Sequence, residues 1–176
     1  MLKNFNIVIA GVGGQGTVTL VKIIDEACFI EGYDVRSSEL HGLAQRGGSV
    51  LAHIRFGKNI YSPMIASGSA DLIIATELTE CLRATKFAGE KTKILVNKKL
   101  TPYLGGLSHD NILEEFPKKN LFLVEAPEFL GGIYLLGFAA KNNLVPLKAE
   151  SFLKAIKKVI PEKYLELNIK AFSLLK

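Results

Sequence analysis

Short continuous apolar runs punctuate this chain, separated by stretches in which apolar residues recur every three or four positions. Residues 6–10 (NIVIA), 70–75 (ADLIIA), 92–96 (TKILV) and 121–124 (LFLV) are of the first kind. Runs of this length without alternation suit strands covered on both faces, as in a parallel sheet. Residues 49–56 (SVLAHIRF) instead alternate, with Val50, Ala52, Ile54 and Phe56 on one face. That is the period of a strand with one mainly apolar side. Gly57-Lys58-Asn59 has turn chemistry, so residues 60–62 are expected to return as its hairpin partner. Helical spacing fills most of the rest. Over 16–30, Val18, Val21, Ile24, Ala27 and Cys28 share one side, and Gly32 stops the helix. Residues 33–38 read as a second strand. Thr76 or Glu77 opens a helix through residue 85, residues 111–116 form a short helix, and 101–108 a glycine-bearing loop. Residues 128–141, 147–160 and 162–175 are the last helices, with Pro127 placed at a helix start. The order predicts an α/β fold: a Rossmann-like, mostly parallel sheet with helices on both faces and a β-hairpin insertion. No linker or repeat divides it, so residues 1–176 read as one domain, within the usual size range.

Between the first strand and the first helix stands GVGGQG, residues 11–16. Gly11, Gly13 and Gly16 match the dinucleotide spacing in the right context. Gly11 would permit a tight turn. Gly13 and Gly14 would let backbone amides approach a ligand, with Gln15 between, and Gly16 would let the helix lie close to the sheet. The helix N-terminus then offers free amides and partial positive charge to an anion. A nicotinamide site also wants an acid at the end of the second strand, where Glu39 is a loose candidate for the ribose. Three readings stay open: a nicotinamide dinucleotide, another anion or a partner surface, and glycines that only pack a helix onto a sheet.

A second polar, glycine-bearing segment covers residues 37–49, SSELHGLAQRGGS. It falls between two strands, at the edge where open parallel sheets bind ligands. Arg46 could pair bidentately with a phosphate or carboxylate, and Gly47 and Gly48 could form an anion nest. Glu39 and His41 are the candidate catalytic groups, able to orient each other, and His41 could move protons near neutral pH. The bland alternative is a rigid loop with Arg46 bridging to an acid. His53 reads as a satisfied structural histidine and His109 as a residue near a helix start.

Composition removes several function classes. The chain is 48% hydrophobic and 22% charged, with a formal charge of +5. Its lysines are dispersed: those at 154, 157, 158 and 163 have helical spacing and read as a solvated face. No basic stretch interleaves with aromatics as a base-stacking surface would, so nucleic acid is not expected. Cys28 and Cys81 are the only cysteines. Two thiols cannot ligate a four-iron cluster, and no histidine stands at metal-ligand spacing with them, so no metal site is expected. The start is not read as a signal peptide, and no run reaches the ~20 apolar residues of a membrane span. Cytoplasmic residence is the expectation.

GVGGQG and SELHGLAQRGGSV together resemble the gamma-type domain of 2-oxoacid:ferredoxin oxidoreductases. HGLAQRGG, residues 41–48, is most similar to the indolepyruvate type, as are Tyr61-Ser62-Pro63, Ala70-Asp71-Leu72 and the tail LNIKAF, residues 167–172. The resemblance implies a subunit, inactive alone, of a complex that oxidatively decarboxylates 2-oxoacids, aryl pyruvates in the indolepyruvate type, to acyl-CoA. It places thiamine diphosphate, magnesium and the iron–sulfur clusters on a larger partner subunit, with ferredoxin reached through the complex. No cofactor is then expected to bind this chain tightly. Coenzyme A is the candidate for the surface made by Gly11, Gly13, Gly14, Gln15, Gly16, Arg46, Gly47 and Gly48, and self-association is open for the isolated chain. The alternative is a free-standing NAD(P)-binding oxidoreductase domain.

Overall fold

The structure is a computed structural model that describes residues 4–41, 47–99, 109–116, 119–127 and 129–174. The side chains of His41, His109 and Asp110 lie outside that description, as do residues 42–46 and 100–108. Six strands form one sheet in the order β2-β3-β1-β4-β5-β6. These are β1 Phe5–Val12, β2 Asp34–His41, β3 Ser49–Gly57, β4 Ala70–Ala75, β5 Ala88–Asn97 and β6 Leu121–Val124. β1, β4, β5 and β6 run parallel, as their unbroken apolar runs require. β3 lies antiparallel between β1 and β2.

Side chains alternate through the sheet and build two cores. Ile7 and Ile9 of β1 face α1 (Thr17–Ile30), α4 (Gly131–Lys141), α5 (Ala149–Val159) and α6 (Glu162–Ser173). Val8 and Ala10 face α2 (Leu78–Ala84), the 3-10 turn Thr85–Phe87 and α3 (His109–Glu114). Helices therefore cover both faces, as the pattern predicts.

The hairpin forms, but from other strands than residues 60–62 suggested. It is β2 with β3, joined across the second glycine segment. β3 already has β1 on one edge and β2 on the other, so no edge remains for a third partner. Residues 58–69 run instead as a strap from β3 to β4, with Ile60 and Ile65 only 2% and 5% exposed. β2 also extends to His41, so Glu39 stands inside a strand instead of past its end.

The buried stripe of α1 is Leu20, Val21, Ile23, Ile24, Ala27 and Cys28. Val18, expected on that stripe, is 40% exposed. α5 buries Phe152, Ala155 and Ile156 and turns Lys154, Lys157 and Lys158 outward. Its Lys158–Glu26 pair spans 2.7 Å but is exposed, and such pairs contribute little. α4 is apolar on nearly all sides because α6 lies directly on it. A Cβ at Gly137 would collide with the Phe172 carbonyl.

Candidate functional site

The carboxyl ends of β1, β4 and β5 make one rim, and GVGGQG crosses it. Gly11 still belongs to β1, opposite Val50, and makes no turn. A Cβ there would strike the Thr76 hydroxyl and lie 3.0 Å from Thr17 Oγ1, so Gly11 sets the spacing between strand and loop. Gly14 and Gly16 have φ of 96° and 78°, which L side chains adopt at a cost. Gly16 was expected to bring helix and sheet together. A Cβ there meets nothing within 4 Å, and the residue serves α1 as a left-handed cap instead.

The two glycine segments meet. The Gly13 amide donates to the Gly48 carbonyl at 2.7 Å, and the Gly47 amide donates to the Gly13 carbonyl at 3.1 Å. The Gly13 amide is thus spent inside the protein and does not face a ligand. Gln15 closes the turn from above. Its Oε1 accepts from the Val12 amide at 3.3 Å and from the Thr76 hydroxyl. What stays open is the start of α1, which no side chain caps.

A second helix start faces the same place. α4 begins at Gly131 without a side-chain cap, and a Cβ on Gly131 would lie 3.5 Å from Asn97 Nδ2. Asn97 ends β5, is buried, and accepts the Ala126 amide at 3.1 Å. Between the helix starts lies a cavity of about 230 Å³ lined by Gly14, Gln15, Thr76, Asn97, Lys99, Phe129, Gly131 and Gly132. It continues into an apolar groove of about 540 Å³ between α1, α4 and α6. Leu20, Ile133, Ile160, Tyr164 and Leu167 line the groove, and Lys22 is its one charged residue among the described residues. No carboxylate lines either space among the described residues. At their junction Phe129 is 92% exposed, with Tyr164 at 51% and Leu167 at 56% nearby.

Several sequence candidates are placed elsewhere. Arg46 falls outside the described residues. Glu39 pairs with Ala52, two strands from β1, and its field together with burial raises the Asp25 carboxyl above the ordinary range, burial being the larger cause. It therefore sits along the helix-covered sheet, not at the glycine turn. The backbone of His41 ends β2 opposite Val50. His53 is buried but only half satisfied: Nδ1 accepts from Ile65, and Nε2 has no partner among the described residues. Burial pushes both cysteine thiols well above their usual range, so neither is an activated nucleophile. No group of three or more His, Cys, Asp or Glu could hold a metal among the described residues. No helix among them is long and apolar enough to cross a membrane.

Thr76, read only as a possible helix opener, and Asn97 and Lys99 escaped the sequence reading as site residues, although a signal was present. Thr76 follows ADLIIA and Asn97 follows KILV, so each ends a buried strand at the edge where α/β sheets bind ligands. Below the rim, Glu77 caps α2 through a 2.5 Å bond from the Glu80 amide, and Ser49 donates to the Glu80 carboxylate. These buried acids tie α2 to the end of the second glycine segment.

This fold is that of the small, gamma-type subunits of 2-oxoacid oxidoreductases. The crystal structure of pyruvate oxidoreductase subunit PORC from Thermotoga maritima superposes with a TM-score of 0.73 at 20% identity, over 98% of this chain and 95% of that one. Residues 6–174 match the family described as pyruvate ferredoxin/flavodoxin oxidoreductase, and the chain belongs to that family. It is 32% identical to indolepyruvate oxidoreductase subunit IorB of Pyrococcus horikoshii, over 98% of this chain and 95% of that protein. It is 30% identical to the pyruvate/ketoisovalerate oxidoreductases common subunit gamma of Thermococcus litoralis, over 92% and 89%.

Proposed function

We propose that this chain is the small subunit of an indolepyruvate-type 2-oxoacid:ferredoxin oxidoreductase and docks on the larger subunit through the glycine rim and the adjoining groove. The observation that carries this reading is the end-to-end correspondence with IorB subunits. The overall reaction consumes a 2-oxoacid anion, coenzyme A thiol and two oxidised ferredoxins. It yields acyl-CoA, carbon dioxide, two reduced ferredoxins and one proton. Thiamine diphosphate and the clusters, when present, supply the decarboxylation and electron chemistry from the larger subunit. Two buried cysteines suit that division, since they offer no thiolate set for a cluster.

This chain's own contribution is positioning. Phe129, Tyr164 and Leu167 offer apolar area to a partner, and burying side chains of this kind gives about 1.5–3 kcal/mol each before association costs. The rim cavity, with two uncapped helix starts, Lys99 and no lining acid among the described residues, fits a phosphate group such as those of coenzyme A. Arg46, Gly47 and Gly48 would complete that surface.

Reconstitution tests both parts. The isolated chain is titrated by calorimetry with CoA, NADH and NADPH, and mixed with a thiamine- and cluster-binding larger subunit from the same organism. Tight assembly and restored oxidation of aryl pyruvates support the proposal. Micromolar binding of a nicotinamide cofactor without any assembly overturns it in favour of a free-standing oxidoreductase. If Arg46→Ala leaves both CoA affinity and assembly unchanged, the role given to Arg46 is wrong.

A further inference from the structure

The strap of residues 58–69 crosses the α2-side face far from the rim, and side chains of the sheet hold its backbone. Asp34 Oδ2 accepts the Ile60 amide at 2.9 Å. Arg55 donates to the Ser62 and Met64 carbonyls at 3.0 and 3.3 Å, and to Asn6 Oδ1 at 3.0 Å. The Ile65 amide donates to His53 Nδ1 at 3.2 Å. That bond assigns the protonation state. An Nδ1 that accepts carries no hydrogen, so His53 is neutral with its proton on Nε2. The imidazole is 1% exposed and Nε2 has no hydrogen-bond partner among the described residues. Its ring stands at 81° to Phe87 with centroids 4.8 Å apart, an arrangement that sets ring edge against ring face.

We infer that His53 is an acid-sensitive latch: neutral, it holds the strap closed through the Ile65 amide, with Phe87 against its ring, and on protonation it releases that segment locally. Protonation would place an N–H donor where the Ile65 amide already points, so the bond is lost and two donors oppose each other. The charge would also be buried without an acceptor. Among the described residues no carboxylate hydrogen-bonds the ring to offset it. The 3-10 turn brings Lys86, whose ammonium lies 5.0 Å from the Phe87 ring centre, so the imidazolium would be a second cation beside that ring. β3 brings Arg55 on the same face. β2 sets Ser38 opposite His53 and carries Arg36, which is paired with Asp34 at 2.7 Å. β1 contributes Val8 and Asn6, and β4 carries Asp71, whose carboxylate accepts the Asn6 amide at 2.8 Å. α2 carries Cys81 and Glu80, the latter bound to Ser49. The strap contributes no titratable group at Ile65.

Burial first and Lys86 second lower the His53 pKa. A histidine depressed in the native state gives stability that is complete above the ordinary value near 6.5 and is lost as pH falls from there through the native value. The strap thus stays shut at neutral pH and opens on acidification before the core strands do. Opening uncovers the apolar side chains of Ile60 and Ile65 and frees the Tyr61-Ser62-Pro63 knuckle.

Amide hydrogen exchange on the full chain, with Ile74 of β4 as core reference, tests this between about pH 8 and pH 5. The Ile65 protection factor should fall as pH drops from the ordinary value near 6.5 toward the native His53 pKa, by up to about tenfold per pH unit, and level off below it, while Ile74 stays protected. His53→Asn keeps an acceptor near the Nδ1 position and cannot titrate, so its Ile65 protection should be independent of pH. Lys86→Met should raise the native His53 pKa, so the loss of protection is smaller and levels off at a higher pH, and it leaves the Lys86 carbonyl, which accepts from Gly68, in place. The inference is overturned if wild-type Ile65 protection does not change with pH. It is equally overturned if Ile65 and Ile74 lose protection together, or if His53→Asn shows the wild-type pH dependence.

Discussion

The two ends of the sheet close their irregular segments in opposite ways. At the carboxyl rim, loop meets loop backbone to backbone, through the paired bonds of Gly13 with Gly47 and Gly48. Little side-chain bulk is needed, and the starts of α1 and α4 stay uncapped. Across the strap, Asp34, His53 and Arg55 reach up from the sheet and take the backbone groups of residues 60–65. Backbone-to-backbone closure leaves room for something outside the chain. Side-chain closure fills that room and makes the segment depend on the charge state of the groups that hold it.

This contrast can be broken by mutation, beginning with the strap. Arg55→Ala removes three charge-assisted bonds at once and should cost about 2–3 kcal/mol, read as a lower denaturant midpoint with an unchanged slope. Proteolytic cleavage should then concentrate in residues 58–69. At the rim, Gly11→Val puts atoms against the Thr76 and Thr17 hydroxyls and should cost about 2 kcal/mol through overpacking. Gly16→Ala meets open space but keeps φ near 78°, so only backbone strain acts, about 1 kcal/mol. A cost for Gly16→Ala equal to that for Gly11→Val would show that the rim is packed more tightly than its open amides indicate. Smallest in stability is Leu167→Asp, at under about 0.5 kcal/mol for a half-exposed site. Its effect should appear in assembly, as a slower association and a faster release of the larger subunit measured by surface plasmon resonance.

Local pattern carried most of the architecture. ADLIIA, KILV and LFLV are strands because a fully covered strand needs no polar alternation, and the chain shows that directly. The antiparallel strand SVLAHIRF declared itself by its period. Its partner did not, because residues 60–62 have strand-like composition and only the sheet order shows that both edges of β3 are taken. Glycine spacing located the rim but misassigned single roles. Gly11 spaces a strand and Gly16 caps a helix, a distinction that rests on φ and on neighbours distant in the chain. The apolar groove was not legible. Phe129, Tyr164 and Leu167 each look like ordinary helix residues until α4 and α6 are laid beside α1. His53 reads as a satisfied structural histidine on the more polar strand face, because alternation shows neither that helices cover that face as well nor which ring nitrogen has a partner.

The rim and groove are the surfaces that must meet a larger subunit. The most direct measurement is purification of the tagged chain from its native cell, with the companion chain tested for thiamine diphosphate and for iron–sulfur absorbance. The predicted result is a stoichiometric complex carrying both, which Leu167→Asp and Phe129→Ser dissociate while the free chain stays folded. A wild-type chain that emerges alone, or with a companion holding neither cofactor, would contradict it.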